Sequence, residues 1–525
     1  MASCTSLGNS DPCEIEPPKQ PPSHIYVDGR TLEGGGQLVR NALALAALTG
    51  RPITIDHVRG NRGGRTGLKA SHAAAVALLA EISQGQVSDG RVGSQCLTFL
   101  PLRASTEQMS ESPDSAVNFT PLVSLSGLAV QPEYNICLQT PGSVCLIFQT
   151  LYPYLLHVGS RAPADYIKVN ITGGTNGANS PSFDYALQVM APNLARVGLP
   201  PLSMTLEKRG WSTGKSGIGT VSFLIRPLPS LENEIERMRK LKPSESTDIS
   251  ETAAMKTWTR FPTINIMDHD RGRISRIDIT ILAPDSVLIP GSDLGEARTV
   301  RQYIEQQTRL RVLQALKTLD QSLFYSNSTR DPSEQGGCDV ETVGRTVLVP
   351  IELHTSEATS HFSRMYILIV AHTNTGFRIG HDSLLGVRRG NKTGERKPEE
   401  HKKYEKGQPP SRDLVRVSDL IDDCVYGFIR ELDGEPDILT DLVPGSTAGK
   451  RSCLDQYMRD QIVVFEALGN LSQDGLVRSE SNYGAVLEDE RYWTLHTKTA
   501  HWVCRQMLGK NPDINKMERD RIVST

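Results

Sequence analysis

Internal repetition is the feature that most limits what this 525-residue chain can fold into. The stretch GGGQLVRNALALAALTG, followed by RPITIDHV, RGNRGGRTG and LKASHAAAVALLAEIS, reads as helix, strand, Gly- and Arg-rich loop and second helix. The same layout returns in PGSVCLIFQTLYPYLLHVG, ADYIKVNI, TGGTNGANSPS and FDYALQVMAPNLARVGL. A looser third copy runs LDQYMRDQIVVFEALGN, GLVRSES and, after a connector, YWTLHTKTAHWVCRQMLG. Gln37, Gln149 and Gln461 fall at matching places in the three leading helices. The expected class is α/β: three repeated units, each a small β-sheet with two helices, packed into one body.

Between copies two and three, from about Pro227 to Thr440, the chain carries strands and helices of its own. ISRIDITILA, RTVLVPIEL and FSRMYILIVA read as strands, and ARTVRQYIEQQTRLRVLQALKTL and LVRVSDLIDDCVYGFIREL as helices. They predict an inserted, smaller α/β domain. The expected division is a disordered tail over 1–23, a body with repeats one and two over 24–227, and the insert over 228–440. The third repeat follows over 441–512 and a second tail over 513–525. Inside the insert, about 228–260, 326–340 and 388–412 read as disordered loops. The last holds Arg388, Arg389, Lys392, Arg396, Lys397, Lys402, Lys403 and Lys406. Such a run is either a solvated loop interleaved with Glu or a contact to an RNA backbone.

Charge narrows the function. With 57 Lys+Arg against 60 Asp+Glu the net charge is −3, which excludes a globally basic coat. Any positive site must be local. The nine cysteines form no C-x-x-C pair, so reduced thiols are expected, with neither a disulfide framework nor a structural zinc site. Cys145 and Cys504 read as small core residues. The N-terminal stretch lacks the features of a signal peptide, and no window of about 18 apolar residues predicts a transmembrane helix.

Three clusters carry chemistry. In DGRTLEGGGQLVR, Asp28 to Arg40, consecutive glycines ahead of a helix let backbone N–H groups approach an anion. Glu33 is there either a first-turn charge or a ligand for a divalent metal. Arg59, Arg62, Arg65 and Lys69 place four cations in eleven residues, with no acid from Arg59 to Leu79, which predicts a phosphate-binding rim. His496, among Thr494, Thr497, Lys498 and Thr499, suits a neutral imidazole that attacks phosphorus and leaves again. His501 is its decoy on another helical face. The run GWSTGKSG resembles a P-loop only superficially, because Arg209 stands where the motif needs its first glycine.

Taken together, DGRTLEGGGQLVRNALALAALTGRPI, GSVCLIFQT, GGTNGANSPSFDY, YMRDQIVVFEALGN and LHTKTAHWV resemble the RNA 3′-terminal phosphate cyclase family, as a divergent member with an enlarged insert. The resemblance implies three repeats of a fold shared with the C-terminal domain of translation initiation factor three, plus an inserted α/β domain. It implies ATP-dependent conversion of an RNA 3′-phosphate to a 2′,3′-cyclic phosphate through a histidine–AMP intermediate, with AMP and pyrophosphate released. By the same resemblance, His496 is the nucleophile and Glu33 the metal-associated acid. Gln149, Pro181, Tyr457, Asp460 and Gln461 match nucleotide-binding positions. Arg40, Arg59, Arg62 and Arg65 are assigned to phosphate or RNA ends. ATP and Mg2+ are the implied cofactors, RNA 3′ ends the partner with no membrane, and the nucleus or cytoplasm the compartment. Three segments depart from the family pattern: Thr66-Gly67-Leu68 with Ser71-His72, Ser212 to Gly217, and Leu384-Leu385-Gly386, which keeps only a trace of the family motif. They bear on RNA-end geometry and efficiency. The alternative reading is a non-catalytic relative acting in pre-rRNA processing or ribosome biogenesis.

Overall fold

The computed structural model describes residues 24–64, 66–101, 130–159, 165–229, 261–289, 297–325, 349–387, 411–434, 451–471 and 493–508. Arg65, the basic residues 388–406, both predicted tails, the strand GLVRSES and nearly all of the three predicted loops lie outside the described residues.

Copy one comprises β1 (Ile25–Asp28), α1 (Gly36–Thr49), β2 (Ile53–Asp56), α2 (Ala70–Ile82), β3 (Gln86–Ser88) and β4 (Leu97–Leu100). Its strands lie in the order β1-β2-β4-β3, with β1 and β2 parallel and the other pairs antiparallel. Parallel neighbours need a crossover, and α1 supplies it. Alternation turns Ile25, Val27, Ile53, Ile55, Leu97 and Phe99 into the core.

Copy two repeats this plan. It comprises β5 (Glu133–Cys137), α3 (Val144–Val158), β6 (Ile167–Gly173), α4 (Phe183–Tyr185), α5 (Ala191–Arg196), β7 (Leu202–Lys208) and β8 (Gly219–Ile225). The order is β5-β6-β8-β7 with the same directions. The predicted single helix from Phe183 is interrupted, because a π-turn over Ala186–Met190 separates α4 from α5. There the Ala191 N–H donates to Ala186 O, five residues back. Pro192 follows; it has no N–H for the Gln188 carbonyl, and its ring needs room beside that group. The wider turn provides it.

The intervening region forms β9 (Ile274–Ala283), a small ribbon of β10 (Val287–Ile289) and β11 (Arg298–Thr299), α6 (Val300–Leu316), β12 (Ile351–Ala358), β13 (Tyr366–Thr373), β14 (Arg378–Leu384) and α7 (Arg412–Asp433). Its sheet runs β12-β9-β13-β14. One face, with Ile277, Ile279, Ile281, Ile367 and Ile369, packs with α6 and α7 into a separate core. Leu282, Tyr366, Leu368 and Val370 point the other way and join the core of the first two copies. Buried on both faces, β13 reads in sequence as one unbroken apolar run.

Two further helices, α8 (Gln456–Leu471) and α9 (Leu495–Leu508), pack on each other, and α9 packs on α1. Cys145 and Cys504 are buried core thiols, as the sequence suggests. No helix among the described residues is long and apolar enough to cross a membrane.

Candidate active site

Helix α1 is the centre of the site because it touches α2, α3 and α9 at once. Every residue from Gln37 to Leu48 is buried. Its polar members must therefore find partners, since an unmatched buried polar group costs roughly 1–3 kcal/mol. Arg40 Nη2 donates to Gln37 Oε1 at 2.7 Å, and Gln37 Nε2 reaches the Asp460 carbonyl at 3.4 Å. Burial brings the Arg40 guanidinium down to about 10, against the opposing pull of Asp460.

Asp460 lies early in α8 and is itself buried. Its Oδ1 accepts from Thr497 Oγ1 at 2.7 Å and from Thr494 Oγ1 at 3.2 Å. Burial pushes its carboxyl up to about 7, with the two threonine bonds acting in the other direction. Thr494 also accepts the Thr497 N–H at 3.1 Å, which caps the start of α9. His496 thus sits in the first turn of α9 rather than ahead of it, and Asp460 ties that turn to α8.

Glu33 meets His496 from the far end of the chain. Its N–H donates to Thr499 Oγ1 at 3.2 Å, and His496 Nδ1 stands 3.7 Å from its Oε1. The Arg62 guanidinium pairs with the same oxygen. The glycines ahead of α1 are required by this crowding. A Cβ on Gly35 would strike the Glu33 carboxylate and the Arg62 guanidinium. On Gly36 it would lie 2.7 Å from His72 Nε2 and 2.9 Å from Arg40 Nη1.

The loop after β2 turns sharply, with φ of 48° at His57 and 58° at Arg59. Arg59 is buried and donates to the Gly67 carbonyl at 3.2 Å. Lys69 is pulled below the usual lysine value by desolvation and then by Arg59, Arg62 and Arg40. His72, read from sequence only as part of a departure from the family pattern, is buried against this group. Desolvation, then Arg40, Arg59 and Lys69, lowers its imidazole to about 3, so it is neutral at physiological pH. An Arg- and Lys-rich loop predicts such a field; which neutral group faces it depends on how α2 is turned.

Gln149, Asp460 and Gln461 line one small cleft between α1, α3 and α8, together with Asn41, Phe148, Tyr152 and Phe465. Tyr457 lies one turn before Gln461 on α8 and stands edge-on to Tyr185, with ring centroids 6.0 Å apart. Pro181, half-buried, ends the loop before Ser182, whose hydroxyl accepts the Tyr185 N–H at 2.9 Å. Asp455 was missed by the sequence reading. It takes Tyr185 Oη at 2.6 Å, the Gly380 N–H at 2.9 Å and the Met458 N–H at 3.0 Å, joining the start of α8 to β14. An aspartate just before a helix is a capping signal that could have found it.

His501 stacks on Trp493, with centroids 4.1 Å apart, and burial with Arg505 lowers it to about 4. Five residues beyond His496, it lies on another face of α9. The GKS-bearing loop leads into β8, not a helix. Its Lys215 N–H donates to Ser363 Oγ at 2.9 Å, while Arg364 Nε reaches the Lys215 carbonyl at 2.9 Å. It is a clasp onto the β12–β13 connection, without the helix a P-loop requires.

Among the described residues no group of three or more His, Cys, Asp or Glu side chains could hold a metal. A magnesium ion that keeps its waters and takes its remaining ligands from phosphates needs only one or two carboxylates. Glu33 is buried, with Oε1 engaged by Arg62 and His496 and Oε2 without a hydrogen-bond partner, so one carboxylate oxygen fits that demand.

An imidazole, a carboxylate and clustered cations thus gather beside small four-stranded α/β sheets. Residues 31–514 match the family model for RNA 3′-terminal phosphate cyclase, and the chain belongs to that family. It is 31% identical over 284 residues to the RNA 3′-terminal phosphate cyclase of Koribacter versatilis, covering 54% of this chain and 68% of that protein. To the protein of that name from Caldivirga maquilingensis it is 32% identical over 227 residues, 43% of this chain and 52% of the relative.

Proposed function

We propose that this chain converts an RNA 3′-terminal phosphate to a 2′,3′-cyclic phosphate at the expense of ATP, with His496 as nucleophile. The observation that carries the reading is the meeting of His496 with Glu33, at 3.7 Å, beside Arg40 and Arg62. With Nδ1 turned to a carboxylate, a neutral imidazole keeps its proton there and presents the Nε2 lone pair. Nε2 attacks the α-phosphorus of ATP, and pyrophosphate leaves. An oxygen of the RNA 3′-phosphate then attacks the adenylate phosphorus and frees His496. The neighbouring 2′-OH closes on the terminal phosphorus, loses its proton and expels AMP. Activation is needed because a phosphomonoester dianion carries no good leaving group.

In this reading Arg40, Arg59, Arg62 and Lys69 hold phosphate oxygens, and Asp460 fixes the turn that presents His496. Gln149, Gln461, Tyr457 and Pro181 flank the nucleoside. Glu33 would hold Mg2+, which supplies neutralisation of phosphate charge. The test is incubation with ATP labelled at the α-phosphate, followed by a 3′-phosphorylated oligonucleotide. We expect an acid-labile, alkali-stable adenylate on the wild-type chain, none on His496→Ala, and a cyclic end on the RNA. A wild-type chain that takes no label with any divalent metal overturns the reading in favour of a non-catalytic relative.

A further inference from the structure

Pro181 and Tyr457 each stand next to side chains tied to the inserted sheet, and the ties form two chains of hydrogen bonds. In the first, the Tyr185 N–H donates to Ser182 Oγ at 2.9 Å, the Ser182 and Tyr366 hydroxyls meet at 2.6 Å, and Tyr366 Oη donates to Asp382 Oδ2 at 3.1 Å. Tyr366 spends its one proton on Asp382, so Ser182 must donate to Tyr366. Each hydroxyl is thus used once as donor, and the direction runs from copy two into β13 and β14. In the second chain, Asp455 Oδ1 accepts Tyr185 Oη at 2.6 Å, the Tyr457 N–H at 3.1 Å and the Met458 N–H at 3.0 Å. Its Oδ2 accepts the Gly380 N–H of β14 at 2.9 Å. Tyr185 belongs to both chains, through its N–H and through its hydroxyl.

Ser182, Tyr185, Tyr366 and Asp455 are each at most 2% exposed, so water cannot replace a bond that is lost. The Tyr457 ring is held from two sides, edge-on to Tyr185 at 6.0 Å and tilted against His381 of β14 at 5.9 Å. Gly380 is a glycine because the body comes so close: a Cβ there would lie 2.6 Å from Val189 Cγ2 and 3.2 Å from the Tyr185 ring. Resting on the nucleotide reading above, we propose that Tyr366 and Asp455 are positioning residues for ATP, through which the inserted sheet fixes Pro181 and Tyr457. Tyr366 holds the turn that carries Pro181, and Asp455 holds the first turn of α8. The insert thereby sets nucleotide affinity from behind the residues that flank the nucleoside. Walls fixed in advance by buried bonds spare the ordering cost that a loose pocket meets on binding.

The test is the rate of adenylylation of the full chain against ATP concentration, with thermal midpoints measured alongside, for wild type, Tyr366→Phe, Asp455→Asn and Asn193→Ala. The first two variants nearly keep side-chain volume and remove bonds of the two chains. Asn193 ties α5 to β14 separately, by bonds of 2.8 and 2.9 Å to the Arg378 backbone, and is the control for docking alone. Tyr366→Phe and Asp455→Asn should each raise KM for ATP about fivefold to tenfold, with kcat within about twofold of wild type. Asn193→Ala should lower the thermal midpoint and leave KM unchanged. Partial unfolding reduces the fraction of chains labelled, not the ATP concentration at half-maximal rate. An unchanged KM in both Tyr366→Phe and Asp455→Asn overturns the assignment and leaves the two chains as supports of the fold. So does an equal rise in Asn193→Ala, which would make docking in general the cause. Either result, with a wild-type chain that labels, leaves the proposed function standing. A wild-type chain that takes no label removes that function and this assignment together.

Discussion

Copies one and two share a sheet order and span their parallel strands with equivalent helices, yet those helices begin in different ways. Helix α3 starts conventionally: the Ser143 hydroxyl accepts the Leu146 N–H at 3.3 Å. Helix α1 starts at Gly35 with no side-chain cap and no acid in its first turn. The space a capping side chain would fill is taken by the Glu33 carboxylate, Arg62, His72 and Arg40. The loops diverge as well. In copy one the loop after β2 gathers cations around α1, whereas in copy two the connection from β7 to β8 turns toward the inserted sheet, where Arg209 bonds both Asp184 and Glu357. One scaffold is used for charge assembly at one place and for docking at another.

The docking side should show the largest loss when it is cut. Arg209 donates to both Asp184 oxygens, at 2.8 and 3.0 Å, and to Glu357 at 2.7 Å, with Asp184 buried. Arg209→Leu strands that carboxylate and should cost about 3–5 kcal/mol in chemical denaturation. A loss below about 1 kcal/mol would remove the docking half of the contrast. On the charge side, Gly35→Ala drives a methyl into Glu33 and Arg62. Adenylylation should fall about 100-fold while the circular dichroism spectrum is kept, because misplacing reacting groups by about 1 Å costs that much. Labelling within threefold of wild type would show that the uncapped start has no role in the site.

A pair of variants sharpens the electrostatics. Unfolded, Asp460 releases its proton near 3.8, but folded it keeps it up to about 7. The folded chain therefore holds an extra proton in between, and the stability from this group is full below 3.8 and lost as pH rises through 7. His72 has the opposite sign: its value falls from 6.5 to about 3, so its share is full above 6.5 and lost as pH falls toward 3. His501 and His372, each lowered to about 4, act in the same sense as His72. Asp460→Asn should flatten the decline in denaturation midpoint between pH 5 and 8. His72→Gln should soften the decline below pH 6. Curves parallel to wild type for both variants would show that burial does not hold these groups in their neutral forms. The smallest effect belongs to the conventional helix: Ser143→Ala should cost about 1 kcal/mol and leave adenylylation unchanged. A fall in labelling would tie that cap to the site after all.

Much of this arrangement was legible from residue order. The apolar periods of α1, α3, α6 and α7 and the dense run of β13 stand out because a single segment carries each pattern. Strands such as β3, with three residues, and β14, with its mixed RIGHDSL, carry too little alternation to be read alone. The π-turn before Pro192 follows from a local conflict that averages out in a helical pattern. At the site, Glu33, Arg62 and His496 were each visible as residues of the right chemistry. That the acid would take both the guanidinium and the imidazole was not, since no local rule joins positions so distant.

The hydrogen bond between the Glu33 N–H and Thr499 Oγ1 spans 466 positions of sequence. Ribosomes add roughly 5–20 residues per second, so the acid leaves the tunnel roughly 25–90 s before its partner helix exists. Throughout that interval the arginines around α1 face no Asp460 and no His496. In a nascent chain the Glu33 side of this contact therefore waits for α9, and the cluster is completed only late in synthesis.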